Sequence, residues 1–335
     1  MVVVLVLFAR GSPPAVEPGL TVAAFDIGSG STRLLVAELD ACGGTMLNVL
    51  DRKSVPVPYA ADLLESKNGE FSGAIRATAD QQMAKLTSRA SEHGAEVFVG
   101  VATQAFRSAG NSASLLDGWR RQLGLDVRVL SQDEEARLGY LLVAAKSEAE
   151  AEPLLVWDIG AGSQQLVWQE PSTGRWAHVN SDLASVTFRN RALAVLHRPA
   201  EQSSPNPIVE EEVARLQREV LEWLGSAAVD RVAAVVGAGY QVVGIGGVHG
   251  ASLVNQLGLA DGEPITRSAL AQALAAQLGR TDEEIGGAYA DTEVVNLILV
   301  SALMDLFGIE QYSVMGLDLT EALLLSLDES CQPDA

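Results

Sequence analysis

Two short stretches carry residue types and a spacing suited to phosphate chemistry: Ala24-Phe25-Asp26-Ile27-Gly28-Ser29-Gly30-Ser31 and Val156-Trp157-Asp158-Ile159-Gly160-Ala161-Gly162-Ser163. In each, an apolar run ends in an aspartate and enters a turn of glycines and hydroxyl residues. Such a turn can aim successive backbone N–H groups at a phosphoryl oxygen. The candidates are Gly28, Ser29, Gly30 and Ser31 in the first copy and Gly160, Gly162 and Ser163 in the second. Ser29, Ser31 and Thr32 add hydroxyl donors, and the aspartates can hold a metal ion or orient water. A third glycine-rich turn, Gly244-Ile245-Gly246-Gly247, also follows an apolar run. One such motif alone serves equally well simply to turn a hairpin. Two copies at equivalent places point instead to a cleft lined by both.

The elements that position these turns follow from hydrophobic patterning. Leu20 to Phe25 and Leu154 to Trp157 read as strands, each returning after its turn through a second apolar run, Leu34-Leu35-Val36 or Leu166-Val167-Trp168. One β-hairpin is therefore written twice, once near the start of each half, which predicts a duplicated domain rather than a short-period solenoid. Between the copies, Phe71 to His93 and Ser112 to Leu123 have helical spacing, and Val97 to Val101 and Val127 to Leu130 read as buried strands. Ser131 with Glu134 three residues on is a capping box opening a further helix through Ala145. An acidic stretch, Ser147 to Pro153, reads as an inter-domain link. In the second half, Ile208 to Leu224, Ser268 to Leu278, Glu293 to Phe307 and Leu319 to Leu327 are helical, and Arg231 to Val236, Tyr240 to Val243 and Ser313 to Met315 read as strands. Alternating strands and helices predict layered α/β domains: a tail over 1–20, domain I over 21–145 and domain II over 146–335.

Composition narrows the partners. The net charge of −20 repels nucleic acid, long polyanions and anionic lipid alike, so any phosphate must be met by a local cluster of N–H groups, cations and metal. Two cysteines, Cys42 and Cys331, make neither a disulfide framework nor a zinc site and fit a reducing cytoplasm. With 48% hydrophobic but only 5% aromatic residues, the cores are expected to be aliphatic. Met1 to Ala9 is apolar but too short to span a bilayer and lacks a cleavage signal, so it is read as a tail.

The ordered set of motifs resembles the Ppx/GppA phosphatase family, within the actin and sugar-kinase superfamily. Besides both hairpins and Gly244 to Gly247, the similar pieces are Gly100-Val101-Ala102-Thr103-Gln104-Ala105-Phe106-Arg107 with Asn111, Leu130 to Tyr140, and the tail from Tyr289 to Leu325. The resemblance implies two actin-like (ribonuclease H-like) α/β domains with an inter-domain cleft. It implies hydrolysis of the terminal phosphoanhydride of polyphosphate or guanosine pentaphosphate, with Mg²⁺. By that resemblance Glu135 is the general base, Arg107 and Asn111 belong to the phosphate site with Gly246 and Gly247, and Asp26 and Asp158 flank the metal. A small phosphorylated ligand or short polyphosphate is the implied partner, and a homodimer the implied assembly.

Departures from the family pattern remove polar groups or, at Ala161, add a methyl where the backbone would approach phosphate closely. Ala161 stands where glycine is usual, Gln165 where a carboxylate is, Gly30 where asparagine is common, and Val248 in place of threonine. They support an alternative reading, a catalytically impaired protein that binds or senses a phosphorylated ligand. His249 beside the third turn is read as structural ahead of a phosphate donor. A sugar kinase or actin-like ATPase is a third possibility, for which Gly286-Gly287 is a poor adenosine motif.

Overall fold

The computed structural model describes residues 19–40, 46–147, 153–170, 172–199, 201–317 and 319–326. Both cysteines, residues 1–18 and most of the acidic link lie outside these. Two compact units emerge, Met1–Leu142 with Asp318–Ala335, and Val143–Leu317.

The first unit runs β1 (Thr21–Ile27), β2 (Ser31–Leu39), β3 (Met46–Pro56), α1 (Tyr59–Glu65), α2 (Gly73–Glu92), β4 (Val97–Ala102), α3 (Gln104–Ser108), α4 (Ser112–Leu123), β5 (Asp126–Val129) and α5 (Gln132–Lys146), the last crossing the boundary between units. Its sheet has the order β3-β2-β1-β4-β5, with β3, β2 and β1 antiparallel and β4 and β5 parallel to β1. β1 is almost continuously apolar because it is central and buried on both faces. Phe25 and Ile27 face a core shared with α2 and α4, in which Tyr59, Phe71, Phe106 and Trp119 stack with ring centroids 4.9–6.0 Å apart. The expectation of purely aliphatic cores is corrected here: the few aromatic residues are concentrated inside, where large flat side chains fill most volume.

The second unit runs β6 (Leu154–Ile159), β7 (Gln164–Gln169), β8 (Trp176–Ser181), α6 (Ser185–Val195), α7 (Glu210–Leu224), α8 (Ser226–Gly237) and β9 (Gln241–Ile245). A π-helical turn (Val248–Leu253) leads into α9 (Val254–Leu257). Then come β10 (Ile265–Thr266), α10 (Arg267–Gln277), α11 (Asp282–Ile285), α12 (Ala290–Phe307) and β11 (Gln311–Val314). The strand order β10-β11-β9-β6-β7-β8 repeats the first sheet, with β8-β7-β6 antiparallel, β9 and β11 parallel, and β10 added at the edge. The duplication read from two octapeptides therefore extends to five strands of each sheet.

Two sequence expectations change. Arg231 to Val236 lies within helix α8, not a strand: Val229 and Val232, three residues apart, are buried on one helical face, a spacing that a strand would send to opposite sides. The final helix α13 (Leu319–Leu325) belongs to the first unit rather than to domain II. It packs on β1, β2 and β4, and its buried Glu321 accepts a 2.7 Å hydrogen bond from Arg52 Nη2 on β3.

Candidate functional site

In the first unit the carboxyl ends of three parallel strands are tied side by side. Thr103 N–H donates to the Ile27 carbonyl at 3.2 Å, and Leu130 N–H to the Ala102 carbonyl at 2.9 Å. That edge is where open α/β sheets bind ligands, and the candidate residues of this unit emerge from it.

Helix α3 starts immediately after β4 and carries Arg107; α5 starts after β5 and carries Glu135 one turn in. Arg107 Nη1 donates to Glu135 Oε2 at 2.8 Å and to the Leu130 carbonyl at 2.7 Å. Its other edge is held by Gln104, whose Oε1 accepts from Nε at 3.3 Å and Nη2 at 3.0 Å. Glu135 is only 7% exposed. The start of α5 is fixed as its capping box requires: Glu134 Oε2 accepts from Ser131 N–H and from Ser131 Oγ, each at 2.8 Å. Burial raises the Glu134 carboxyl, but the Ser131 donors with Arg128 and Arg137 outweigh it and hold the group below the usual carboxylate range. With Glu134 facing its own cap, Glu135 is the carboxylate presented to Arg107.

The first hairpin turn closes with Gly28 N–H donating to Ser31 carbonyl at 2.9 Å; the second closes identically, Gly160 N–H to Ser163 carbonyl at 3.0 Å. Among the described residues, the N–H groups of Ser29, Gly30, Ala161 and Gly162 meet no backbone acceptor. Those donors suit an anion. Two of the hydroxyls are held in place as acceptors, which leaves their protons for a phosphoryl oxygen. Ser29 Oγ accepts from Ala105 N–H at 3.2 Å, bracing the start of α3, and Ser163 Oγ accepts from Gln165 Nε2 at 3.1 Å.

The two aspartates have different cross-strand neighbours. Asp26 pairs in register with Arg33, whose Nη1 lies 3.2 Å from Asp26 Oδ2. Asp158 pairs with Gln165, which is 1% exposed. The third turn meets the second at Gly246, where φ is +85° and a Cβ would lie 2.0 Å from Asp158 Oδ1 and 2.9 Å from the Ile159 carbonyl. Gly247 follows at the start of the helical segment. The unit thus brings Asp158, Gly160, Gly162, Ser163, Gly246 and Gly247 to one sheet edge, as Asp26, Gly28, Gly30, Ser31, Arg107 and Glu135 share the other unit's edge.

Other candidates are placed differently. Asn111 uses both ends of its amide on the backbone of Phe71, accepting from its N–H and donating to its carbonyl, each at 2.9 Å; it braces the entry to α2. Val248 faces the core, so a hydroxyl there would be buried rather than offered to a ligand. His249 is fully buried against Trp157, its Nδ1 2.8 Å from Tyr312 Oη, and burial lowers its pKa to about 3. It is a neutral core histidine. Spacing alone did not reveal Gln104 and Arg33; their signals were one helical turn from Arg107 and direct register with Asp26.

Among the described residues no group of three or more His, Cys, Asp or Glu side chains forms a ready-made metal cage. Mg²⁺ needs only one or two carboxylates when substrate phosphates complete its shell. Asp158, beside a neutral amide, fits that role. Asp26, beside a guanidinium, would have to release Arg33 to do so.

The Ppx/GppA phosphatase family profile matches residues 35–329. The chain belongs to the Ppx/GppA phosphatase family. Exopolyphosphatase 1 of Mycobacterium leprae is 30% identical over 152 residues, a stretch covering 42% of this chain and 40% of that protein. Among solved structures, an exopolyphosphatase from Cytophaga hutchinsonii superposes with TM-score 0.74 at 16% identity, covering 93% of this chain and 99% of that one. The Aquifex aeolicus Ppx/GppA family member gives TM-score 0.68 at 20% identity, covering 93% and 99%. These likenesses establish the two-domain actin-like α/β fold of Ppx/GppA proteins. No helix among the described residues is long and apolar enough to cross a membrane.

Proposed function

We propose that this protein hydrolyses the terminal phosphoanhydride bond of a short polyphosphate or of guanosine pentaphosphate. The observation that carries the reading is the Arg107–Glu135 pair, a buried carboxylate and a half-buried guanidinium at the carboxyl edge of the first sheet, beside a turn with undirected N–H groups. Glu135 accepts a proton from a water as that water forms a bond to the terminal phosphorus. The bridging P–O bond breaks, and the shortened chain leaves with the electron pair. Arg107 supplies cationic donors to the phosphoryl oxygens, and the turn N–H groups hold others. In the second unit Asp158 would hold Mg²⁺, which supplies charge neutralisation to phosphoryl oxygens. Net charge −20 favours short or nucleotide substrates over long polymers.

The test is phosphate release by the purified protein from polyphosphates of several lengths and from guanosine pentaphosphate, with and without Mg²⁺. Glu135→Gln is expected to reduce turnover by about 10²–10⁴-fold, the usual contribution of a general base. Absence of turnover in the wild type, or equal turnover in the variant, overturns the hydrolytic reading. A second reading is supported by Gln165: a buried neutral amide opposite Asp158 leaves one carboxylate where two would grip a metal more firmly. A sensor of phosphorylated ligands would bind guanosine pentaphosphate with micromolar affinity and release no phosphate.

A further inference from the structure

Gln104 has no role in the account so far beyond its contact with Arg107, and that contact is unusual in its charge. Arginine side chains held at the Nε/Nη2 edge are commonly gripped by a carboxylate, whose geometry matches the guanidinium fork. Here the edge is gripped by a neutral carboxamide oxygen, one helical turn before Arg107 on α3, at 3.3 and 3.0 Å. The opposite corner, Nη1, is fixed by the Leu130 carbonyl and Glu135. Four of the five N–H groups therefore have partners, and among the described residues the second Nη2 hydrogen has none. Glu135 is the one carboxylate among the described residues within ion-pair distance of Arg107. The guanidinium is thus immobilised on two edges while only one negative charge is set against it. An incoming phosphate that draws Arg107 from Glu135 would find the cation still oriented by Gln104 and not neutralised by it. Gln104 is itself oriented, its Nε2 donating to Ser108 Oγ at 3.3 Å.

We propose that Gln104 is a positioning residue for anion capture: it orients Arg107 through a neutral acceptor so that the guanidinium charge stays available to a phosphoryl group. The inference rests on the reading of this edge as a phosphate site. The charge and the hydrogen bond are separable by two substitutions of nearly constant shape. Gln104→Glu keeps an acceptor at the same place but adds the missing charge. Gln104→Met keeps the length and removes the acceptor.

The experiment measures pyrophosphate and tripolyphosphate affinity by calorimetry for wild type and both variants, with thermal unfolding of each. Where turnover is present, KM and kcat are also measured. Gln104→Glu is expected to weaken anion affinity, and raise KM, by roughly tenfold or more, the scale of one charge-assisted hydrogen bond, with kcat and melting temperature close to wild type. Gln104→Met is expected to weaken affinity only a few-fold. A purely structural role would instead shift the melting temperatures and leave affinities equal. Equal affinity of Gln104→Glu and wild type, with wild type binding, overturns the proposal while leaving the phosphate site intact. Failure of the wild type to bind either anion overturns both together.

Discussion

Gly246 gives the most direct check on how the third turn meets the second. Its φ of +85° is a backbone conformation that costs an L-residue about 1–2 kcal/mol. A methyl added there would also lie 2.0 Å from Asp158 Oδ1 and 2.9 Å from the Ile159 carbonyl. The carboxylate can swing aside, losing its place, but the carbonyl belongs to the backbone of β6 and cannot, so overpacking adds about 1–3 kcal/mol. Gly246→Ala should therefore destabilise the second unit by about 3 kcal/mol, or about 6–12 °C in melting temperature for a unit of this size. Gly262→Ala is the control: its φ is +81° but nothing lies within 4 Å of the added methyl, so only the conformational cost of about 1–2 kcal/mol applies. Thermal unfolding followed by tryptophan fluorescence is a suitable assay, since Trp157, Trp168, Trp176 and Trp223 all lie in this unit. Equal loss in the two variants would refute the contact between Gly246 and the Asp158 turn.

Three other outcomes follow from individual contacts. Asn111→Ala strands the N–H and carbonyl of Phe71 and should cost about 1–3 kcal/mol in urea unfolding, while ligand affinity of the folded protein stays at the wild-type value. The Glu134 carboxyl is held below its ordinary 4.5, so its stabilising contribution is complete above that value and fades as pH falls through it toward the lower folded value; Glu134→Gln should flatten melting-temperature profiles in that acid window. Gln165→Glu restores a second carboxylate opposite Asp158 and should tighten Mg²⁺ or Mn²⁺ binding by roughly tenfold in calorimetry; unchanged affinity would exclude Asp158 from the metal site.

What was legible in the chain was mostly local or repeated. The twin hairpins declared themselves because the same octapeptide pattern needs the same turn, and both close with the same Gly-to-Ser bond. The α5 cap was readable because Ser131 and Glu134 satisfy each other within four residues. By contrast, Arg107 and Glu135 are brought together by parallel strand ends, a relation that no short spacing encodes. The family resemblance, not periodicity, singled them out. Val-Ala-Ala-Val-Val suits either a strand or a buried helix face, and only packing decided for α8. β3 escaped notice because it is an edge strand with most side chains in water, so it lacks the alternation that marks half-buried strands. Asn111 has the polarity of a ligand group, but tertiary placement turned it onto Phe71.

The return of α13 to the first sheet makes that unit discontinuous, with consequences for biosynthesis. Val22, Ala24, Leu35 and Ala37 of β1 and β2 are completely buried in the finished protein, and α13 is part of what covers these strands. During translation its residues leave the ribosome only after Val143–Leu317, roughly ten to thirty seconds later at about 5–20 residues per second. Val143–Leu317 is contiguous and can mature first, whereas the amino-terminal half waits with apolar strand surface open to chaperones.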